Sequence, residues 1–185
     1  MGPSRSRLTH QIRFPAPFRR WGRSVSGVTA IEFALISPVF FVLLVGILEV
    51  GLMYLAQVDL QNAINNASRT IRTGQVQAQN LSSSAFRTQI CSKVSALMNC
   101  GAKLQVDVQS FATFANGSYS TPLNADGTLN QSLTNFTPGG ASKIVLVRAL
   151  YPWPVSTPLL TPFLVNMAGN SHLIVATAAF RNEPY

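Results

Sequence analysis

From Phe33 to Ala56 the chain reads FALISPVFFVLLVGILEVGLMYLA, 24 residues that carry one charge, Glu49. As a helix this run is about 36 Å long, enough to cross a hydrocarbon layer of about 30 Å with some tilt. It is too long for the apolar core of a secretory signal, which is about 7–15 residues. No A-x-A cleavage pattern follows it. The reading is a retained transmembrane helix. Six arginines (Arg5, Arg7, Arg13, Arg19, Arg20 and Arg23) precede it with no acid among them. Basic flanks stay inside, so the N-terminus is expected in the cytoplasm and everything after about residue 56 outside. Pro38 reads as a tolerated kink. Glu49 follows Glu32 by 17 residues, about 25 Å along a helix axis. The two acids are thus expected near opposite faces of the membrane, with Glu49 an interfacial residue rather than a buried functional charge.

The formal charge of +8 over 185 residues hides an asymmetry. Residues 1–31 carry +6, whereas residues 32–185 hold eight basic and six acidic side chains. The positive charge belongs to a short topogenic arm, which argues against nucleic-acid binding. Charged residues make up 11% of the chain, against about 25% in an average soluble domain. The titratable groups beyond the helix, Asp59, Asp107, Asp126, Glu183 and His172, are widely dispersed. No glycine-rich phosphate loop, nucleophile elbow or zinc spacing is present. The expectation is a protein that is not an enzyme and needs no cofactor or metal.

The junction before the apolar run reads SGVTAIEFALISP, with Gly27 before Val28 and Glu32 four residues further on. An acid at the opening of a membrane helix is costly unless paired. A cut between Gly27 and Val28 would create an ammonium one helical turn from Glu32, on the same face. It would also leave Glu32 in the first turn, where the helix dipole favours an anion. The Val28 ammonium of a neighbouring chain serves equally well. In a helical stack, each Glu32 would then fix the axial position of the next chain.

The basic leader, the glycine and a glutamate at the fifth mature position resemble a type IV prepilin signal. The segment GVTAIEFALISPVFFVLLVGILEVG, with the ending AAFRNEPY, resembles the TadE-like family of the tight-adherence (Flp/Tad) pilus systems. The likeness is carried by residues 22–72 and, more loosely, by Cys91, Cys100 and the last dozen residues. It implies an inner-membrane minor pilin or pseudopilin matured by an aspartyl prepilin peptidase. Its implied partners are other pilins and the inner-membrane assembly platform. Gly27 would be the last leader residue, Val28 the first mature residue and Glu32 the assembly acid. Phe33 departs from the tyrosine that many prepilins have after the glutamate, which removes a hydroxyl able to bond a neighbour. The competing reading is an uncleaved, membrane-anchored periplasmic scaffold with Glu32 snorkelling to the inner face.

The expected organisation is a basic leader (1–27), a transmembrane helix (28–56) and an external pilin-like α+β domain (57–185). Leu60, Ile64, Ala67 and Ile71 recur on one face, so the first helix should run from about Thr29 to Arg72 and stop at Gly74. A second helix is expected over Ser82–Met98, with Phe86, Ile90, Val94 and Leu97 as its stripe. Residues 104–109 alternate as a half-buried strand. Residues 144–151 and 173–180 are apolar strands, giving a three-stranded antiparallel sheet. Residues 113–141, rich in Asn, Ser, Thr, Gly and Pro, read as a mobile surface loop, with a turn at Asn124–Thr128. Residues 151–162 carry four prolines around Trp153, which excludes a regular helix or central strand. They are read as an apolar lid on the sheet, with an exposed Trp–Pro segment that docks a partner or the membrane face as the alternative. Cys91 and Cys100 would be about 13 Å apart in one helix. A helix end near Met98 and a turn at Asn99–Gly101 would let them bond, and the external location favours oxidation.

Overall fold

A computed structural model describes residues 27–118 and 120–185. The chain divides into two units, Met1–Leu43 and Leu44–Tyr185. Helix α1 (Val28–Arg72) contributes to both. In the first unit its side chains from Val28 onward are almost all exposed, Phe33, Leu35 and Ile36 among them.

In the second unit α1 becomes one-sided. Its buried residues are Glu49, Met53, Ala56, Leu60, Ala63, Ile64, Ala67, Ser68 and Ile71. Their spacing of three and four is that of a single helical face. The expected stripe is therefore the core stripe. The helix stops where Gly74 adopts φ +77° and donates its N–H to Ile71 O at 3.0 Å. Glycine enters that left-handed conformation without a Cβ penalty.

The α1 stripe covers one face of an antiparallel sheet of order β1-β2-β3, as the α+β expectation requires. The strands are β1 (Gln105–Phe111), β2 (Ile144–Pro154) and β3 (Ser171–Arg181). Val106, Val108, Val145, Val147, Ala149, Tyr151, Ile174 and Ala176 join the helix residues in one core. Short helices α2 (Gln75–Ala78) and α4 (Cys100–Lys103) flank a longer α3 (Ser83–Cys91), and α5 (Thr161–Leu164) precedes β3.

Three expectations are corrected. The second helix begins as expected, with the Ser82 hydroxyl accepting the Ala85 N–H at 3.2 Å, but ends at Cys91 rather than Met98. Cys91 is bonded to Cys100, their Cα atoms 5.6 Å apart, so the chain must turn back at once. The Asp59 carboxylate accepts the Ser95 N–H within that turn, and Leu97 is left 52% exposed.

The 113–141 segment is not a free loop. Residues of its middle part lie on the far face of the sheet, where Leu129 and Leu133 form a second small core with Leu150 and Leu173. Phe136 stands opposite Val108 in a parallel bridge, and the Val108 N–H donates to Asn135 O at 2.8 Å. As a result β1 is not half-exposed. Gln105 and Asp107, the polar side of its alternation, are 7% and 0% exposed.

The third correction concerns the prolines. β2 is the central strand and continues through Tyr151, Pro152, Trp153 and Pro154. Its pairing with β1 ends at Leu150, opposite Gln105, so Pro152 and Pro154 pair with β3 alone. A proline is tolerated where a strand has only one neighbour, because no second ladder needs its missing N–H.

Candidate functional site

The first part of the site is the start of α1. The helix begins at Val28, with Gly27 just outside it. A Cβ built on Gly27 meets nothing within 4 Å, and its φ lies outside the left-handed region. The fold of the described residues therefore does not require glycine there. Glu32 is the fifth helical residue, so the first turn holds no acid. This corrects the expectation of Glu32 in the first turn; its dipole stabilisation is correspondingly weaker, since that effect fades beyond one turn. Val28 and Glu32 remain four residues apart, on one face. Among the described residues no basic side chain pairs with Glu32, which is exposed.

Ile31, Phe33, Leu35, Ile36, Val39, Phe40 and Phe41 are between 55% and 72% exposed. Leaving such side chains in water forfeits about 1.5–3 kcal/mol each relative to full burial. A helix apolar on all sides is stable only in lipid or among other apolar helices. Among the described residues it is the one helix long and apolar enough to cross a membrane.

The second part lies where α1 meets the sheet. Glu49 is 8% exposed, and its Oε1 accepts the Ser156 N–H at 2.6 Å. The residues after β2 fold over Glu49, and it fixes their turn. One and two turns beyond Met53, Gln57 and Gln61 face the outer edge of β3. Gln57 Nε2 donates to Val175 O at 2.9 Å, and Gln61 Nε2 donates to Thr177 O at 2.8 Å. The Thr177 N–H returns a bond to Gln61 Oε1 at 3.3 Å. Helix residues i and i+4 thus meet strand residues i and i+2, and the unpaired edge of the sheet is covered.

Residues 27–69 match the family model of the TadE-like proteins. The match opens on the glycine before α1 and closes one turn before its end. It bears out, over this segment, the resemblance drawn from the prepilin-like junction. No curated protein and no solved structure gives a significant match.

Outside the TadE-like segment, the RNEPY ending closes back on α1. Asn182 is buried, and its Nδ2 donates to Pro138 O at 3.0 Å and to Gly140 O at 2.9 Å. The Glu183 N–H donates to Arg72 O at 2.9 Å, and its carboxylate lies 3.3 Å from Arg72 Nε. Both side chains are half-exposed, so this ion pair is worth little by itself. The Tyr185 ring covers Gly74: a Cβ there would lie 2.7 Å from the ring. Burial raises the Tyr185 phenol above its ordinary range, against a smaller opposing effect of Asn182. Cys91 and Cys100 tie α3 to α4 on the same side of the sheet as α1.

The expected residues therefore fall into separate places. Gly27, Val28 and Glu32 cluster at the helix start, while Cys91 and Cys100 staple the second unit. Sequence reasoning missed Glu49 as an internal acceptor and Gln57 and Gln61 as edge caps. Two glutamines four apart beside an apolar stripe were the available signal. It also missed the buried pair of Asp107 and Arg148, 3.4 Å apart, because Asp107 belongs to the polar row of an alternating strand and Arg148 stands alone in an apolar one. Among the described residues no cluster of three metal-ligating side chains occurs.

Proposed function

We propose that this chain is a minor pilin or pseudopilin of a Tad-type pilus, cut between Gly27 and Val28 by a prepilin peptidase. The observation that carries the reading is a coincidence of three boundaries. The TadE-like match begins at Gly27, α1 begins at Val28, and Gly27 sits where the fold itself has no use for a glycine. A glycine that the fold does not need is accounted for by a protease that does.

In this reading the basic leader (1–27) stays cytoplasmic, the apolar part of α1 (28–56) crosses the inner membrane, and residues 57–185 form the periplasmic domain. The partners are other pilins and the inner-membrane assembly platform. Glu32, four residues from the new terminus, takes the ammonium of its own or a neighbouring Val28. The uncleaved scaffold is the competing reading. N-terminal sequencing of the mature protein from a strain with its own prepilin peptidase separates them. Val28 is the expected first residue; an intact leader in all membrane-bound protein refutes maturation. Gly27→Leu should accumulate the longer form, with the fold unchanged because the site is open.

A further inference from the structure

Between Arg148 and Arg181 the sequence has no Asp, Glu, Lys or Arg. Within this stretch, residues 158–165 read PLLTPFLV, and they leave the sheet to form a lobe around α5. Their most apolar side chains point away from the core: Phe163 is 82% and Leu159 66% exposed. The lobe is held against α1 at two points. Glu49 accepts the Ser156 N–H, and Leu160 Cδ1 fills the space over Gly46, where a Cβ would lie 3.0 Å from it.

Gly46 sets the depth of the lobe. It lies ten residues before Ala56, the end of the apolar run, and so about 15 Å inside that run. The α1 residues beside it, Ile47 and Leu48, are 73% and 59% exposed. Leu48 also shares a groove with Ser156 and Thr157, so the lobe stands at the level of exposed apolar side chains of α1. Next to the lobe, this groove of about 380 Å³ runs between α1 and β2, with Leu52, Leu97, Tyr151, Trp153 and Lys103 on its walls. Tyr151 belongs to the core, but half-buried Trp153 and exposed Lys103 beside this apolar surface are side chains of the kind that favour a bilayer interface.

We propose that the Pro158–Leu164 lobe is a membrane foot, which inserts Leu159 and Phe163 into the lipid leaflet on the domain's side and seats the domain on the bilayer. The inference rests on the membrane-spanning reading of α1, and the occupant is the acyl region of the lipid. The foot would fix the height and rotation of the domain relative to the membrane, giving a single anchor helix a second point of attachment.

The test uses the full chain in vesicles at low protein-to-lipid ratio, with Trp21→Phe and Trp153→Phe as background. One new tryptophan is placed in turn by Phe163→Trp, Ile47→Trp or Phe114→Trp. Phe114 is also exposed, at 63%, but belongs to the turn after β1, beside the Ile144 end of β2. That end is about 33 Å along the strand from Pro154. Brominated phosphatidylcholine should quench the probes at 163 and 47 by about two-fold or more, as for rings sunk 5–10 Å into the acyl boundary, and leave the probe at 114 unchanged. Quenching at 47 without quenching at 163 overturns the foot and leaves the spanning helix standing. No quenching at either site overturns both. A blue-shifted, unquenched probe at 163 that depends on protein density assigns the lobe to a second copy and also overturns the proposal. Where loss of Trp153 unfolds the domain, benzoyl-phenylalanine at 163 in the otherwise native chain reads the same distinction, with crosslinks to lipid expected and crosslinks to protein refuting it.

Discussion

Asp107 offers the sharpest test of how the second unit is held together. It is fully buried, and its two oxygens accept from four donors. Oδ1 takes the Asn135 N–H and Nδ2, both at 3.1 Å, and Oδ2 takes Gln109 Nε2 at 2.8 Å and Arg148 Nη2 at 3.4 Å. Arg148 is itself 3% exposed, and its Nη1 donates to Ser120 O at 2.8 Å. At 3.4 Å and an effective dielectric near 20, the attraction of the two charges is about 5 kcal/mol. Most of it is offset by the cost of taking both ions out of water, so the pair as a whole contributes little net stability. Removing one partner is a different matter. Asp107→Ala removes the charged partner of a buried guanidinium and the acceptor of three amide donors, a loss of about 3–5 kcal/mol. Against a total of about 5–15 kcal/mol for a typical domain, that is severe. With a urea slope of about 2 kcal/mol per molar, the unfolding midpoint should fall by about 2 M. The assay is reversible urea unfolding of the detergent-solubilised chain by near-ultraviolet circular dichroism, with hydrogen exchange at the Asn135 amide as a local readout. Asp107→Leu combined with Arg148→Met should recover much of the loss. A loss below about 1 kcal/mol, or single losses that simply add in the double variant, would show that the buried pair is not what pins the 113–141 segment.

Three further outcomes are expected. Cys91→Ser opens a bridge with a sequence separation of 9 and should cost about 2.7 kcal/mol in the chain-entropy model; steady-state abundance should fall while membrane targeting, followed by fractionation, is unchanged. Burial raises the Tyr151 phenol above its ordinary 10.0, outweighing the hydrogen bond with the Asn99 backbone. The folded state therefore holds this proton more tightly than the unfolded chain, and stability should decline as pH rises through and above about 10. Melting curves at successive alkaline pH values should show a shallower decline for Tyr151→Phe. Glu32→Ala should leave insertion and maturation intact, because it removes a charge from the bilayer edge. It should nevertheless prevent recovery of the protein with sheared pili, because it would leave an assembled Val28 ammonium without its partner, at a cost of about 3–5 kcal/mol; normal recovery would refute the pairing.

What the sequence made legible follows from period and punctuation. The α1 stripe, the Gly74 stop and the three strands are local patterns, and each appears within a few residues of its expected place. Several misreadings share a cause: composition does not reveal what covers a surface. Gln105 and Asp107 alternate with valines as a solvent-facing row would, yet the middle part of the 113–141 segment lies over them. That segment is polar because its backbone and side chains satisfy buried groups. Gln105 Nε2, for example, donates to both Asn130 O and Leu133 O at 2.8 Å. Pro152 and Pro154 forbid a strand paired on both sides, but the point at which β1 would end cannot be read locally. Glu49 shows the same limit: its partner is the Ser156 N–H, 107 residues away in sequence.

The burial pattern of α1 also bears on what could drive assembly under the proposed function. Before Glu49 the helix buries none of its large apolar side chains; from Glu49 onward one face is committed to the sheet through Met53, Ala56, Leu60 and the glutamine caps. Moving such a chain from bilayer to filament would leave the second face untouched, so the domain can travel as it stands. The first stretch would exchange lipid tails for neighbouring helices. Lipid tails are as apolar as leucine, so this exchange yields almost no hydrophobic gain. The driving force has to come from closer packing and from whatever charge the bilayer leaves unsatisfied. Within that stretch the one acid is Glu32. The membrane-embedded half of the helix can therefore vary widely in apolar sequence and still insert, while its assembly should depend steeply on a single carboxylate.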